Sequence, residues 1–236
     1  MANSSRHEKC HSCFSRNLLK KILHNSEKDV PTFSLENKMT LSNDIEEFLE
    51  QLIPKHVFIG CYPIDKVPIK NILEKKYCMC VINTDEADKP GQHFVCLIRD
   101  NSKLFLFDST ASSYNEKLIY DRIINKILRE KSYFKIWKSK KPVQDMYSNT
   151  CGYFCIWFLL KFYFFRPATT QEVDKFFDNL LPAQDKPKNH NQIAKEILVN
   201  VERIIHKNYL TNLLKKHGMI SHYDFNEFEK YTVYYQ

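Results

Sequence analysis

The chain has 236 residues, 43% hydrophobic and 14% aromatic, which is enough to bury a sizeable core and too apolar for a disordered protein. Its 35 basic and 28 acidic residues leave a formal charge of +7, an excess that suits an anionic partner but is too mild to require one. The N-terminal MANSSRHEKC lacks the apolar segment of a secretory signal and no stretch reads as a membrane span, so the eight cysteines are expected to be reduced thiols rather than a disulfide framework.

Residues 1–39 read as a partly flexible N-terminal extension, with a short basic segment, SRNLLKKIL, followed by polar sequence broken at Pro31. Cys10 and Cys13, with His7 and His11 nearby, resemble half of a zinc site, but no second ligand pair accompanies them and no metal site is assigned. The folded domain is expected over 40–236. Its first helix begins at Ser42 or Asn43, with acidic Asp44, Glu46 and Glu47 in the first turn. Ile45, Phe48, Leu49 and Leu52 form its apolar face, and Pro54 stops it. HVFIGCYPIDKVP follows as a short strand and a Gly/Pro-punctuated loop. YCMCVINT (77–84) is a further strand, ahead of the acidic loop DEADKPGQ. HFVCLI and KLFLFDS are strands on either side of RDNS. Residues 115–130 fit an amphipathic helix with Leu118, Ile119, Ile123, Ile124, Ile127 and Leu128 inward, and YFKIWK (133–138) is one more strand. Beyond residue 166 come TTQEVDKFFDNLLP and a helix over 190–206, in which Ile193, Ile197, Val201, Ile204 and Ile205 recur at helical spacing. A helix, then strands, then helices make the class α+β: a central antiparallel or mixed sheet packed on a buried helix, with further helices around it.

That buried helix lies within QDMYSNTCGYFCIWFLLKFYFFR (144–166). From Tyr153 to Phe165 only Lys161 is charged, and a helix apolar on every side is buried on every side. It is too short to cross a bilayer, and Pro167 ends it. Cys151 falls at its N-terminus, where unpaired N–H groups and the helix dipole favour a thiolate. Cysteine is also among the commonest buried residues, and this stretch by itself admits either a nucleophile or a packed side chain.

The hairpin around Asp100-Asn101 supplies a candidate base. If that dipeptide centres the turn, Leu97 faces Leu104, Val95 faces Leu106 and His93 faces Asp108, which puts imidazole and carboxylate on one face. A one-residue slip would separate them. A carboxylate beside imidazole fixes its tautomer and stabilises the imidazolium, as a Cys–His pair requires. Gln144, seven residues before Cys151, has an amide that can donate to a developing oxyanion together with the Cys151 backbone N–H. Gly91 and Gly152, two of only four glycines, flank His93 and Cys151 and suggest a need for backbone freedom there.

His93, Asp108, Gln144 and Cys151, in that order, resemble the adenovirus-type cysteine endopeptidases, of the same superfamily as the Ulp1-type SUMO proteases. CMCVINTDEADKPGQHFVCLI resembles the strand, loop and histidine segment of that family. NTCGYFCIWFLL is similar to its nucleophile helix, including the second cysteine one turn on. FIGCYPIDKVP is similar to an upstream segment of the adenoviral enzymes, and the resemblance runs over roughly residues 40–215. It implies Cys151 as nucleophile, His93 as general base, Asp108 as its orienter and Gln144 in the oxyanion hole. Two positions differ: the orienter is Asp where many adenoviral enzymes have Glu, and Phe94 follows the histidine where Trp is usual. No cysteine lies between Cys96 and Cys151, so the thiol that joins an activating peptide in the family has no counterpart in that region.

The resemblance further implies a monomeric endopeptidase that cuts viral precursor polypeptides next to glycine, in the virion and in the nucleus or cytoplasm of the host cell, with no membrane partner. The chemistry needs no cofactor; DNA, met by Lys135, Lys138, Lys140 and Lys141 and by Arg203, Lys207, Lys215 and Lys216, or an activating peptide would act as stimulator. Two alternatives stay open at this point. One is an isopeptidase acting on SUMO or another ubiquitin-like modifier. The other is a catalytically dead DNA- or capsid-binding protein of the same fold.

Overall fold

The computed structural model describes residues 42–144, 150–177, 197, 199–201 and 203–205. The chain divides into two compact units, residues 34–204 and residues 1–33 with 205–236, and of the second only Ile205 is described. The expected extension with Cys10 and Cys13 and most of the expected helix over 190–206 lie outside the described residues.

Helix α1 (Ser42–Leu52) buries Ile45, Phe48 and Leu49 of the face its spacing predicts, and leaves Leu52 half-buried. Strand β1 (Phe58–Pro63), a 3₁₀ turn (Ile64–Lys66) and the short helix α2 (Ile69–Glu74) lead into β2 (Tyr77–Asn83). Strands β3 (Phe94–Asp100) and β4 (Lys103–Phe107) form the hairpin. A helical stretch follows, α3 (Ser113–Ile119), a π-helical turn (Tyr120–Ile124) and α4 (Asn125–Glu130), and then the short strand β5 (Lys135–Lys138). The long helix α5 (Cys151–Phe165) is succeeded by α6 (Thr170–Asp174) and a 3₁₀ turn (Lys175–Phe177).

The five strands make one sheet in chain order, with β1 parallel to β2, β2 antiparallel to β3, β3 antiparallel to β4 and β4 parallel to β5. The sheet is therefore mixed, with both parallel pairs at its edges. Both faces are covered, which is why β2 and β3 read as nearly unbroken apolar runs. On one face Cys78, Cys80, Ile82, Val95, Leu97, Leu104 and Leu106 meet Ile119, Ile123, Ile124 and Ile127 of the helical stretch. On the other face the aromatic residues of α5 engage β4 and β5. Phe107 and Phe158 stack at 4.3 Å between centroids, Phe105 meets Phe162 edge-on at 4.8 Å, and Trp137 stacks on Phe158 at 6.0 Å.

Helix α5 is buried without interruption from Cys151 to Leu160, as its all-round apolarity predicts. Its one charged residue, Lys161, donates to the Phe176 carbonyl at 2.8 Å, with the Trp157 and Phe176 rings about its ammonium at 5.1 and 4.9 Å. The helix ends at Phe165, with Arg166 in the left-handed region ahead of Pro167. No helix among the described residues is long and apolar enough to cross a membrane.

The hairpin register differs from the expected one. Leu97 faces Leu106 and Arg99 faces Leu104, so each β3 residue meets a partner two positions further along β4. The turn is Asn101-Ser102, and Asn101 takes the positive φ of 53° that asparagine tolerates better than most residues. A slip of two, unlike a slip of one, leaves every side chain on its expected face.

Between β2 and β3 the loop is held by Thr84 N–H, which donates to the His93 carbonyl at 2.9 Å, and by Asp85 N–H, which donates to Asn83 Oδ1 at 3.1 Å. Gly91 passes over that same Asn83 side chain with φ +84°, and a β-carbon there would fall 2.2 Å from Asn83 Nδ2. The flanking glycine therefore has a structural reason at Gly91, whereas Gly152 sits in the first turn of α5 without a positive φ. Gly91→Ala is expected to lower stability by about 2 kcal/mol or more through the combined strain and overlap, measured as a shift of the urea midpoint at unchanged slope.

Candidate active site

The site lies where β3 begins and β4 ends. His93 immediately precedes β3 and Asp108 immediately follows β4, so the hairpin delivers both to the same end of the sheet. His93 Nε2 is 2.8 Å from Asp108 Oδ1, and both side chains are largely withdrawn from water, at 13% and 8% exposure. The expected juxtaposition of these two residues is present, reached diagonally across the pair rather than by direct opposition.

Asp108 is held from all sides. Its Oδ1 also accepts from the Thr110 backbone N–H at 2.8 Å and the Thr110 hydroxyl at 2.7 Å, and its Oδ2 accepts from Ser112 N–H at 3.3 Å and Asn115 Nδ2 at 3.2 Å. Its backbone is clamped by Ser139 at the end of β5, whose hydroxyl accepts from Asp108 N–H at 3.0 Å and donates to the Asp108 carbonyl at 2.8 Å. Burial alone would raise the Asp108 pKa, but the bonds from His93 and Thr110 outweigh it and hold the carboxyl below its ordinary value.

Burial likewise works against charge on His93. The hydrogen bond to Asp108 opposes it most strongly, followed by a hydrogen bond to Cys151, and together they raise the imidazole to about 9. With Nε2 engaged by Asp108, Nδ1 is the ring nitrogen that remains for the thiol. Cys151 opens α5, is 7% exposed and follows Thr150, which has non-helical backbone angles. One turn further in, Cys155 is wholly buried and its thiol is pushed well above the ordinary range, chiefly by burial. Three of the expected residues, His93, Asp108 and Cys151, are thus gathered in one place, with a hydrogen bond between the first two.

Gln144 is buried and joined to this group through Ser109, the residue after Asp108. The Ser109 hydroxyl donates to Gln144 Oε1 at 2.5 Å, and the Ser109 carbonyl accepts from Val143 N–H at 2.8 Å and Gln144 N–H at 3.0 Å. A thiol, a buried imidazolium and a fixed carboxylate can together supply a nucleophile and a proton donor, and the Gln144 amide can supply a polar contact to a charged intermediate. Sequence reasoning overlooked Ser109, Thr110, Ser112, Asn115 and Ser139. The available signal was the run DSTASS after a strand, dense in side chains that bond to nearby backbone and cap helices; Ser112 does cap α3, accepting from Asn115 N–H.

The profile of the adenovirus endoprotease family matches residues 58–225. The protease of Ovine adenovirus D serotype 7 is 24% identical over 188 residues, which is 72% of this chain and 94% of that protein. The protease of Frog adenovirus 1 is 29% identical over 133 residues, 52% of this chain and 64% of that one. Among solved structures, the central domain of the Legionella pneumophila protein Lpg1148 overlaps 66% of this chain and 88% of its own with 19% identity and a TM-score of 0.36. The family match covers well over half of the sequence, including His93, Asp108, Gln144 and Cys151. The chain therefore belongs to the adenovirus endoprotease family, and it is a viral cysteine protease.

Proposed function

We propose that this protease is an endopeptidase that matures viral structural proteins by cutting extended polypeptide next to glycine, with Cys151 as nucleophile, His93 as general acid and base, Asp108 as orienter and Gln144 in the oxyanion hole. The observation that carries the reading is the hydrogen bond between Asp108 and a buried His93 whose charge is influenced by Cys151, a thiol at the first residue of a buried helix. In the proposed reaction the Cys151 thiolate attacks the scissile carbonyl carbon, and the Gln144 amide and the Cys151 backbone N–H bind the oxyanion. The imidazolium protonates the leaving amine. Water, its proton taken by the now neutral His93, then hydrolyses the thioester and restores the thiolate–imidazolium pair.

The preference for glycine rests on family resemblance and on crowding near the thiol. Phe94 and Tyr153, beside His93 and Cys151 in sequence, are bulky and almost fully buried, and glycine has no β-carbon to accommodate. Stimulation by DNA belongs to the same reading. Lys135, Lys140, Lys141 and Arg203 are exposed, whereas Lys138 is engaged by Glu116 at 2.5 Å; Lys207, Lys215 and Lys216 lie outside the described residues. An activating peptide, if one acts, would have to bind without a disulfide to the segment between Cys96 and Cys151.

Brief iodoacetamide treatment is expected to label Cys151 and spare Cys155, because the latter is fully buried and its thiol is held protonated. Mass spectrometry that found Cys155 modified first would remove Cys151 from its proposed role.

His93, with its pKa raised to about 9, carries its charge through neutral pH and loses it as pH rises through that value, so kcat/KM should fall on an alkaline limb near pH 9. In Asp108→Asn the opposing effect of burial is left with less to counter it, and the limb should move to lower pH by roughly one unit or more. A pH–rate profile unmoved by Asp108→Asn would sever the carboxylate from the proposed mechanism.

The substrate reading is tested by comparing peptides that carry Gly-Gly or Gly-X before the cut with SUMO- and ubiquitin-fused reporters. Cleavage of the peptides is the expected result. Efficient release of a fused modifier with the peptides left intact would favour an isopeptidase instead.

A further inference from the structure

Gln144 sits in a place where its polarity matters more than its shape. A carboxamide keeps nearly the same outline when it is turned by half a revolution, but the turn exchanges a donor-only NH₂ for an acceptor-only oxygen. In the oxyanion role proposed above, one orientation stabilises the intermediate and the other sets oxygen against oxygen. Something must therefore select the orientation.

We infer that Ser109 is the positioning residue that selects it, locking the Gln144 amide with its oxygen turned inward and its NH₂ turned to the opposite side. Ser109 is wholly buried, and its hydroxyl is 2.5 Å from Gln144 Oε1. A hydroxyl has one hydrogen to give. If the amide were reversed, the Ser109 oxygen would accept from Nε2 and its own hydrogen would need another acceptor, and among the described residues Ser109 Oγ has Gln144 Oε1 alone. Leaving a buried hydroxyl hydrogen unbonded is costly, and that cost sets the preference. The Ser109 carbonyl adds the second part of the lock, receiving Val143 N–H and Gln144 N–H and so fixing the backbone from which the amide extends.

The arrangement has a further feature. Asp108 and Ser109 are consecutive, and successive residues at the end of a strand turn to different sides. Asp108 bonds to His93, and Ser109 bonds to Gln144. One dipeptide at the end of β4 thereby sets the direction of the imidazole and that of the amide, though Gln144 lies 35 residues further along the chain.

The inference rests on the cysteine protease mechanism proposed above with Gln144 as oxyanion donor, and the test separates the two. Initial rates on a glycine-containing peptide, thermal melting and the rate of Cys151 alkylation are measured for wild type, Ser109→Ala, Gln144→Ala and the double variant. Ser109→Ala is expected to lower kcat roughly tenfold or more with KM and the alkylation rate little changed, since the His93–Cys151 pair is not touched. On the Gln144→Ala background the same substitution should cost less than about twofold, because there is no amide left to orient. Ser109→Cys, which keeps a weak donor of similar size, should fall between wild type and Ser109→Ala, and it carries the test if Ser109→Ala does not fold. Wild-type kcat in a folded Ser109→Ala would overturn the inference. So would an undiminished loss in the double variant, or a parallel loss of Cys151 alkylation. A wild-type protein that neither cleaves peptide nor labels at Cys151 would overturn the mechanism itself, and this inference with it.

Discussion

A carboxylate removed from water has to be met by fixed donors, and much of the structure around the end of β4 follows from meeting that need at Asp108. Five donors from four residues reach its two oxygens, while Ser139 grips the peptide on either side of its α-carbon. The turn Thr110–Ser112, the start of α3 at Ser113 and the end of β5 are each held in part by bonds to this one residue. An imidazole placed against such a carboxylate gains its charge at little cost in reorganisation, because the dipoles are already aligned. The remaining freedom of the Asp108 side chain is small, and so is that of the ring it holds.

Helix α5 was legible because nothing polar interrupts it, and the position of Cys151 at its start followed directly from where that apolar run begins. Strands β2 to β4 were legible for a similar reason. The register of the hairpin was not. Asp100, Asn101 and Ser102 are all good turn residues, so propensity offers no choice between adjacent centres. A shift of two residues preserves the burial pattern, so hydrophobicity offers none either. His93 and Asp108 were paired correctly because the error had even parity. Short α2 gave too few residues for a period to register, and nothing in a strand's composition tells whether an edge neighbour such as β1 or β5 runs parallel.

The polar surroundings of Asp108 and Gln144 were hidden for a different reason. Ser109, Thr110, Ser112, Asn115 and Ser139 act through short hydrogen bonds to single atoms, and such bonds produce no periodic signal. A serine that orients an amide and a serine in a solvated loop are written identically; only the burial of Ser109 and its distance to Gln144 distinguish them. Features that depend on averages over many residues could be read from the sequence, whereas those that depend on one contact needed coordinates.

Helix α5 is also a lever. Its aromatic anchor against β4 lies at Phe158 and Phe162, while the thiol sits at the opposite end, about 16 Å from Phe162 at 1.5 Å per residue. A tilt of only about 5° around that anchor would carry Cys151 through about 1.4 Å, comparable with the misplacements that cost catalysts orders of magnitude in rate. Substitutions among the rings of the anchor would thus reach the proposed nucleophile from two turns or more away, through the stacking of Phe107, Phe158 and Trp137.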